Sequence, residues 1–213
     1  SGSGSTQHFY SSTAAGTAND PRLTFSAATA AGSTWTGGNG NWTDNTKWAG
    51  STVAEGIGQA ATINGGTAVN ITMDANRSVG SLSFSGANHT ISSGAGKLAL
   101  NVVSGSPTIS VEATRTATIS AALVGLDGFT KTGTGELVLS GANTYTGTTV
   151  VSAGKLSLAG TSSLPAAGPV SIAAGGILSN DAAAGTSFNL GALTLTGGEL
   201  AATSTADFSL GNF

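Results

Sequence analysis

From about Thr52 onward, apolar and polar side chains alternate over short stretches, and the alternation keeps restarting. Val69, Ile71 and Met73 fall on one side of "TAVNITMD", and Leu82 and Phe84 on one side of "SVGSLSFSG". A period of two puts such residues on one face of an extended strand. The pattern continues through "HTISSG", "KLALNVV", "TISVEA" and "TATISAALV", with Gly, Asn or Ser punctuating the runs. Helical spacing finds no comparable support, so the pattern predicts many short strands joined by tight turns. It weakens but persists through "PVSIAAGGILSN", "SFNLGALTLTGGELAAT" and "ADFSLGNF".

A phrase repeats within this alternation. Gly-x-Leu-x-(Leu/Phe) occurs at Gly80, Gly96, Gly135, Gly154 and Gly191, and "GELVLSGANTYTG" from Gly135 echoes "GSLSFSGANHT" from Gly80. Spacings near 20 residues suit a stacked unit of two or three strands, which closes no core alone and lines a shared one when stacked. The expected fold is all-β, a right-handed parallel β-solenoid (β-helix) of short strands, with a β-sandwich as the alternative. In the solenoid Leu137 and Leu139 face inward, Gly141, Asn143 and Gly147 bend the chain, Val151 lines the next face, and Gly154 turns again. Tyr145 and Leu156 complete the core and turns of this unit.

The expected organisation is a polar N-terminal arm or linker over 1–33 and a single solenoid domain over 34–213. Within the arm "RLTFSAAT" from Arg22 is the one convincing strand, suited to pairing with a neighbour's exposed edge. Residues 34–50 form a Trp-rich cap, since Trp35, Trp42 and Trp48 lie within one Gly- and Asn-rich stretch. Three large rings there either close the end of the core or offer faces on which sugars stack. The clearest repeat spans 128–160.

Composition narrows the function classes. Only 8% of residues are charged while 39% are hydrophobic, which is not the signature of disorder. The seven Lys and Arg are scattered singly and the net charge is −3, so no basic stripe is available for nucleic acid. No apolar run nears the roughly 20 residues of a membrane span. Without cysteine, neither a disulfide nor a thiolate metal site can form. The opening "SGSGSTQHFY" has no initiator Met, basic segment or apolar leader; it reads as a mature chain, a fragment or a linker scar.

Gly128 to Gly160 closely resembles the passenger-associated transport repeat, also called the autotransporter-associated β-strand repeat. Lys131, Gly133, Gly135, Leu137, Leu139, Gly141, Asn143, Tyr145, Gly147, Thr149, Val151, Gly154 and Leu156 fall on that pattern. Upstream, Trp35 to Trp48 and Val79 to Phe84 are similar to the leading part of large secreted bacterial proteins that carry it. The resemblance implies an exported, extracellular or cell-surface β-helical protein of a Gram-negative-type bacterium, acting as stalk, scaffold or passenger. The chain departs from that family in offering no room for a translocating outer-membrane β-barrel, which would need many strands of about 9–11 residues.

Candidate chemistry is sparse. The ten acids are spread singly, and His8 and His89 are the only histidines. General acid–base work needs such groups to converge on one bond, so catalysis is not expected, and His89 reads as a turn residue. "GGNGNWTD" resembles a calcium turn but has Trp42 in place of an acid. No cofactor is expected, and calcium stays open through scattered Asp and Asn oxygens. Asn88 and Asn143 read as corner devices that pair with the next coil or cap turn amides.

The leading expectation is therefore a non-enzymatic extracellular structural protein, a stalk, coat or filament subunit. It would self-associate head-to-tail or by addition of its N-terminal strand. The alternatives are a carbohydrate-binding adhesin or passenger module that meets glycans or a host or neighbour cell surface, and a polysaccharide-cleaving β-helix enzyme.

Overall fold

The computed structural model describes residues 32–160, 164–165, 168–202 and 207–210. Most of the 1–33 arm, including the Arg22 strand and His8, lies outside them. Successive short strands pair in parallel with strands one rung above and below, which is the geometry of a β-solenoid. The first face is an eight-stranded sheet of Ser33–Trp35, Ala60–Ile63, Ser81–Phe84, Thr108–Val111, Phe129–Thr132, Thr149–Val151, Val170–Ala173 and Leu193–Thr196. The second face, also eight-stranded, holds Gly40–Asn41, Asn70–Thr72, His89–Ser92, Thr116–Ile119, Glu136–Leu139, Gly154–Leu158, Gly176–Asn180 and Glu199–Ala202. A third, discontinuous face holds Arg77–Val79, Leu98–Leu100 and Leu123–Val124, with Ser187–Leu190 paired to Asp207–Leu210 further along.

Alternation along each strand buries every second side chain, and parallel register stacks the buried ones into columns. On the second face Ala117, Leu137, Leu156, Leu178 and Leu200 are successive partners. On the first face the column runs Leu82, Ile109, Lys131, Val151, Ile172 and Leu195. The expected inward set is accordingly present: Leu137, Leu139, Val151 and Leu156 are fully buried.

The spacing near 20 holds from Gly135 to Gly154, whose strands are partners on the second face. It fails from Gly80 to Gly96. The strand after Gly80 lies on the first face and the strand after Gly96 on the third, so this interval is part of one rung. The same correction applies to the echoed phrase. "GSLSFSGAN" makes the corner from the first face to the second, whereas "GELVLSGAN" makes the next corner round, from the second face to the third. The phrase encodes a strand and a bend, independent of the face on which it is used.

Corner amides find acceptors on neighbouring rungs. Asn39, Asn76 and Asn88 accept from the backbone N–H of Asn70, Lys97 and Thr116 on the rung above, at 2.8, 2.9 and 2.8 Å. Asn143 accepts from Leu123 N–H on the rung below, at 2.8 Å. These asparagines cap backbone donors, not one another, and the two equivalents in the echoed phrase point in opposite directions along the stack. Because Asn143 is buried, Asn143→Ala strands the Leu123 amide, and a loss of about 1–2 kcal/mol in chemical denaturation is expected.

Gly128 and Gly147 meet at the corner that re-enters the first face. A Cβ on Gly147 would lie 2.0 Å from the Gly128 nitrogen, so the stack closes there only with glycine. Gly154 opens its strand at φ +65°, a left-handed conformation suited to glycine.

The two ends differ. At the first rung Thr36 and Gly37 N–H both donate to Lys47 O, at 2.7 and 3.1 Å, and Trp35 forms an antiparallel bridge with Trp48. The chain from Trp42 through two short 3₁₀ turns, Asn45–Lys47 and Ala49–Ser51, thus folds over that end. At the last rung Leu195 is 50% exposed, while Leu193, Leu200 and Phe208 are only partly buried. Leu193, Leu195 and Leu200 continue the interior columns of Val170, Ile172 and Leu178 but are incompletely covered.

Candidate functional site

The widest corner between the first and second faces belongs to the second rung, Asn64–Val69. Together with Trp35–Asn39 of the first rung it encloses a cleft of about 660 Å³. Trp35 and Val69 are large apolar lining residues, four glycines expose backbone, and Thr36, Asn39, Asn64 and Thr67 add neutral polar groups. No lining residue is ionisable. The Asn39 side-chain oxygen is engaged by Asn70 N–H.

Trp35, Trp42 and Trp48 stand together beside this cleft and are almost wholly buried. Trp48 meets Trp35 edge-on at 5.1 Å and Trp42 at 5.0 Å between ring centroids. Each indole N–H reaches a backbone carbonyl: Trp35 to Gly38, Trp42 to Ala54 and Trp48 to Trp42. Burial leaves no open ring face in this trio on which a sugar can stack, and only Trp35 touches the cleft.

The stack also assembles a polar cluster whose members are far apart in sequence. Lys155 Nζ lies 3.1 Å from Glu136 and 2.7 Å from Asp181, and the Ser157 hydroxyl lies within hydrogen-bond reach of both carboxylates, to either of which its one proton can be donated. Ser179 also donates to Asp181, at 2.7 Å. Burial works to raise the Glu136 carboxyl, but hydrogen bonds from Ser157 and Lys155 outweigh it and hold the group below the usual carboxylate range. Burial likewise works to lower Lys155, and its two carboxylate partners overcome that and raise it. Two carboxylates therefore converge, but Glu136 is held ionised where a general acid must hold a proton at neutral pH. The geometry is that of an ion-pair ladder on the second face.

His89 is not a turn residue. It begins a second-face strand, is buried, and its ring bridges Ser85 O at 2.9 Å and Val69 N–H at 3.4 Å. With Nε2–H donating to Ser85 and Nδ1 accepting from Val69, both nitrogens are used structurally. In the "GGNGNWTD" stretch Asp44 accepts from Thr46, capping the first 3₁₀ turn. Among the described residues no three His, Cys, Asp or Glu side chains gather into a metal-binding group.

Residues 129–158, the fifth and sixth rungs of the first two faces, match the family model of the passenger-associated-transport-repeat. The chain carries this repeat. Over 141 residues, 65% of its length, it is also 37% identical to the adhesin BmaC autotransporter of Brucella suis biovar 1 (strain 1330). It spans 4% of the length of that relative. No solved structure matches it.

Within the transport repeat many of the patterned residues have a visible physical task. Leu137, Leu139, Val151 and Leu156 fill the core, and Asn143 caps the rung below. Tyr145 packs edge-on against Phe129 at 5.6 Å, and its hydroxyl pairs with Thr149 at 2.7 Å. Lys131 stands in the aliphatic column with its side chain fully buried. Its Nζ donates to Thr132 O, Gly133 O and Ala153 O at 2.8, 2.8 and 3.1 Å, tying the corners of two successive rungs together. Burial pushes its ammonium down to about 8. The alternation gives no warning of this task, because Lys131 occupies a position at which neighbouring rungs carry Ile109 and Val151; only its place in the repeat pattern marks it.

Proposed function

We propose that this chain is a surface-exposed, non-enzymatic passenger segment that serves as the capped leading section of a solenoid stalk. The observation that carries the reading is the continuous parallel ladder, eight strands on each of two faces over one shared apolar core. At the first described rung the Trp35–Trp48 bridge and the three buried indoles cover part of the core, whereas at the last described rung Leu193, Leu195 and Leu200 are only partly covered. The length of the adhesin relative, of which this chain spans 4%, is consistent with many more rungs stacking beyond it. The ion pairs from Lys155 to Glu136 and Asp181, with Glu136 held below the usual carboxylate range, support a mechanical role over a polysaccharide-cleaving one.

The open rung is also the site through which the isolated chain would self-associate, by stacking on a second copy or accepting the Arg22 strand of a neighbour's arm. Head-to-tail growth onto the sealed end would first have to open the Trp cap. Sedimentation should accordingly reveal concentration-dependent assembly that Leu195→Lys abolishes and Ser51→Lys, at the sealed end, leaves intact. A monomer at every concentration removes the self-association. Protease shaving of the intact producing cells tests the passenger reading separately: release of the chain supports it, and protection inside the cell overturns it.

A further inference from the structure

We propose that the neutral cleft between the corners of the first two rungs binds an uncharged oligosaccharide. The argument begins with its glycines. Most other described glycines are explained by a positive φ, as at Gly154, or by a close approach, as at Gly147 and Gly128; Gly65 and Gly168 are in ordinary contact at 3.5 and 3.4 Å. Of the glycines whose surroundings are described, only Gly38 and Gly66 have neither a positive φ nor any atom within 4 Å of the place a Cβ would occupy. Both line this cleft. Glycine costs the unfolded chain more entropy on folding than other residues do, so backbone geometry and packing give no reason to keep it at these two positions. What a side chain there would change is the open volume.

The two positions also follow paired strands: Gly38 comes three residues after Trp35 and Gly66 three residues after Ile63, its register partner. The second corner then runs three residues longer before pairing resumes at Gly40↔Ile71. Along the second wall the amides from Asn64 to Ala68 have no acceptor among the described residues. This differs from the Asn-capped amides at Asn70, Lys97 and Thr116.

The lining selects the ligand class. Free amides, backbone carbonyls, two Asn and two Thr offer donors and acceptors in mixture, exposed Ala68 and the methyl groups of Thr36 and Thr67 offer apolar contact, and no lining residue is charged. Sugars match this, since each ring carries hydroxyls that both donate and accept around apolar C–H faces, whereas an anionic or cationic ligand would find no counter-charge. The size lies within the usual range of small-molecule sites, about 300–1,000 Å³.

The test uses the whole chain and a panel of cello-, malto-, chito- and manno-pentaose alongside sialylated and sulfated glycans, first on an array and then by calorimetry. Saturable binding of at least one uncharged pentaose is expected, weakened at least tenfold by Gly38→Leu and by Gly66→Leu. Both variants should melt with the wild type, because the new side chain enters open space; Asn64→Ala provides a second, smaller truncation that should also weaken binding. Absence of binding by all uncharged probes up to their solubility, binding of charged glycans alone, or unchanged affinity in both leucine variants would each overturn the proposal. None of these results bears on the stalk reading, which sedimentation and cell shaving decide.

Discussion

Trp48→Ala is expected to lower stability by about 3–5 kcal/mol in urea denaturation, in line with other deletions of large buried rings. The ring is almost fully buried between Trp35 and Trp42. Its removal leaves a cavity where two edge-on contacts stood and takes the indole N–H away from Trp42 O. The antiparallel bridge to Trp35 and the Lys47 carbonyl that accepts from Thr36 and Gly37 depend on the same loop. The damage should therefore be greatest at one end: amides of the first rung should exchange with solvent faster, while those of the fifth and sixth rungs keep their protection relative to the global opening. A loss below about 1 kcal/mol would mean that the Trp loop does not fold cooperatively with the stack.

Lys131 should give the chain an unusual alkaline response. Burial lowers its folded value to about 8, against an ordinary lysine value of about 10.4 in the unfolded chain. Between these limits the unfolded chain holds the additional proton, so stability contributed by this group rises with pH. It is flat below about pH 8 and gains at most about 3 kcal/mol by pH 10.4. Tyr145 works in the opposite direction. Burial raises its hydroxyl above the ordinary phenol value despite the bond to Thr149, so the unfolded phenol ionises first and stability is lost above about pH 10. Denaturation midpoints between about pH 8 and pH 10 should thus rise in the wild type relative to Lys131→Met. At pH 7 Lys131→Met should lose about 2 kcal/mol, because three buried carbonyls lose their donor while the cost of burying a charge disappears. Parallel pH profiles for the two proteins would show that Lys131 does not titrate in this window.

Much of the architecture was legible from local rules. Alternation marked Val69, Ile71 and Met73 as one buried face, and the phrase around Leu137 and Leu139 marked strand and bend. A stack of such units follows because a single rung cannot bury both Leu137 and Leu156. What alternation cannot give is phase. Gly80 and Gly96 begin similar strands, yet only three-dimensional closure decides that they share a rung. The polar residues inside the columns were hidden for the same reason: His89 and Lys131 become buried by register with Ala117 and Val151, not by their own surroundings in sequence. Glu136 and Asp181 meet through Lys155 because each rung between them has a particular length. The cleft is hardest to foresee, since its strongest signal is a pair of missing side chains at Gly38 and Gly66; the offset recurrence of Gly-Gly was the only trace available.

The echoed corner phrase has a consequence for how such a shaft can change over generations. If one strand and bend is a portable cassette usable on any face, a solenoid need not grow by whole rungs. Gain or loss of a single cassette would leave the core hydrophobic and the ladder continuous, yet rotate every layer beyond it by one face about the long axis. The Glu136–Lys155–Asp181 ladder would then look out in a new compass direction while its own geometry stayed the same. Small insertions in this chain would therefore act as dials on surface orientation, re-aiming a feature without rebuilding it.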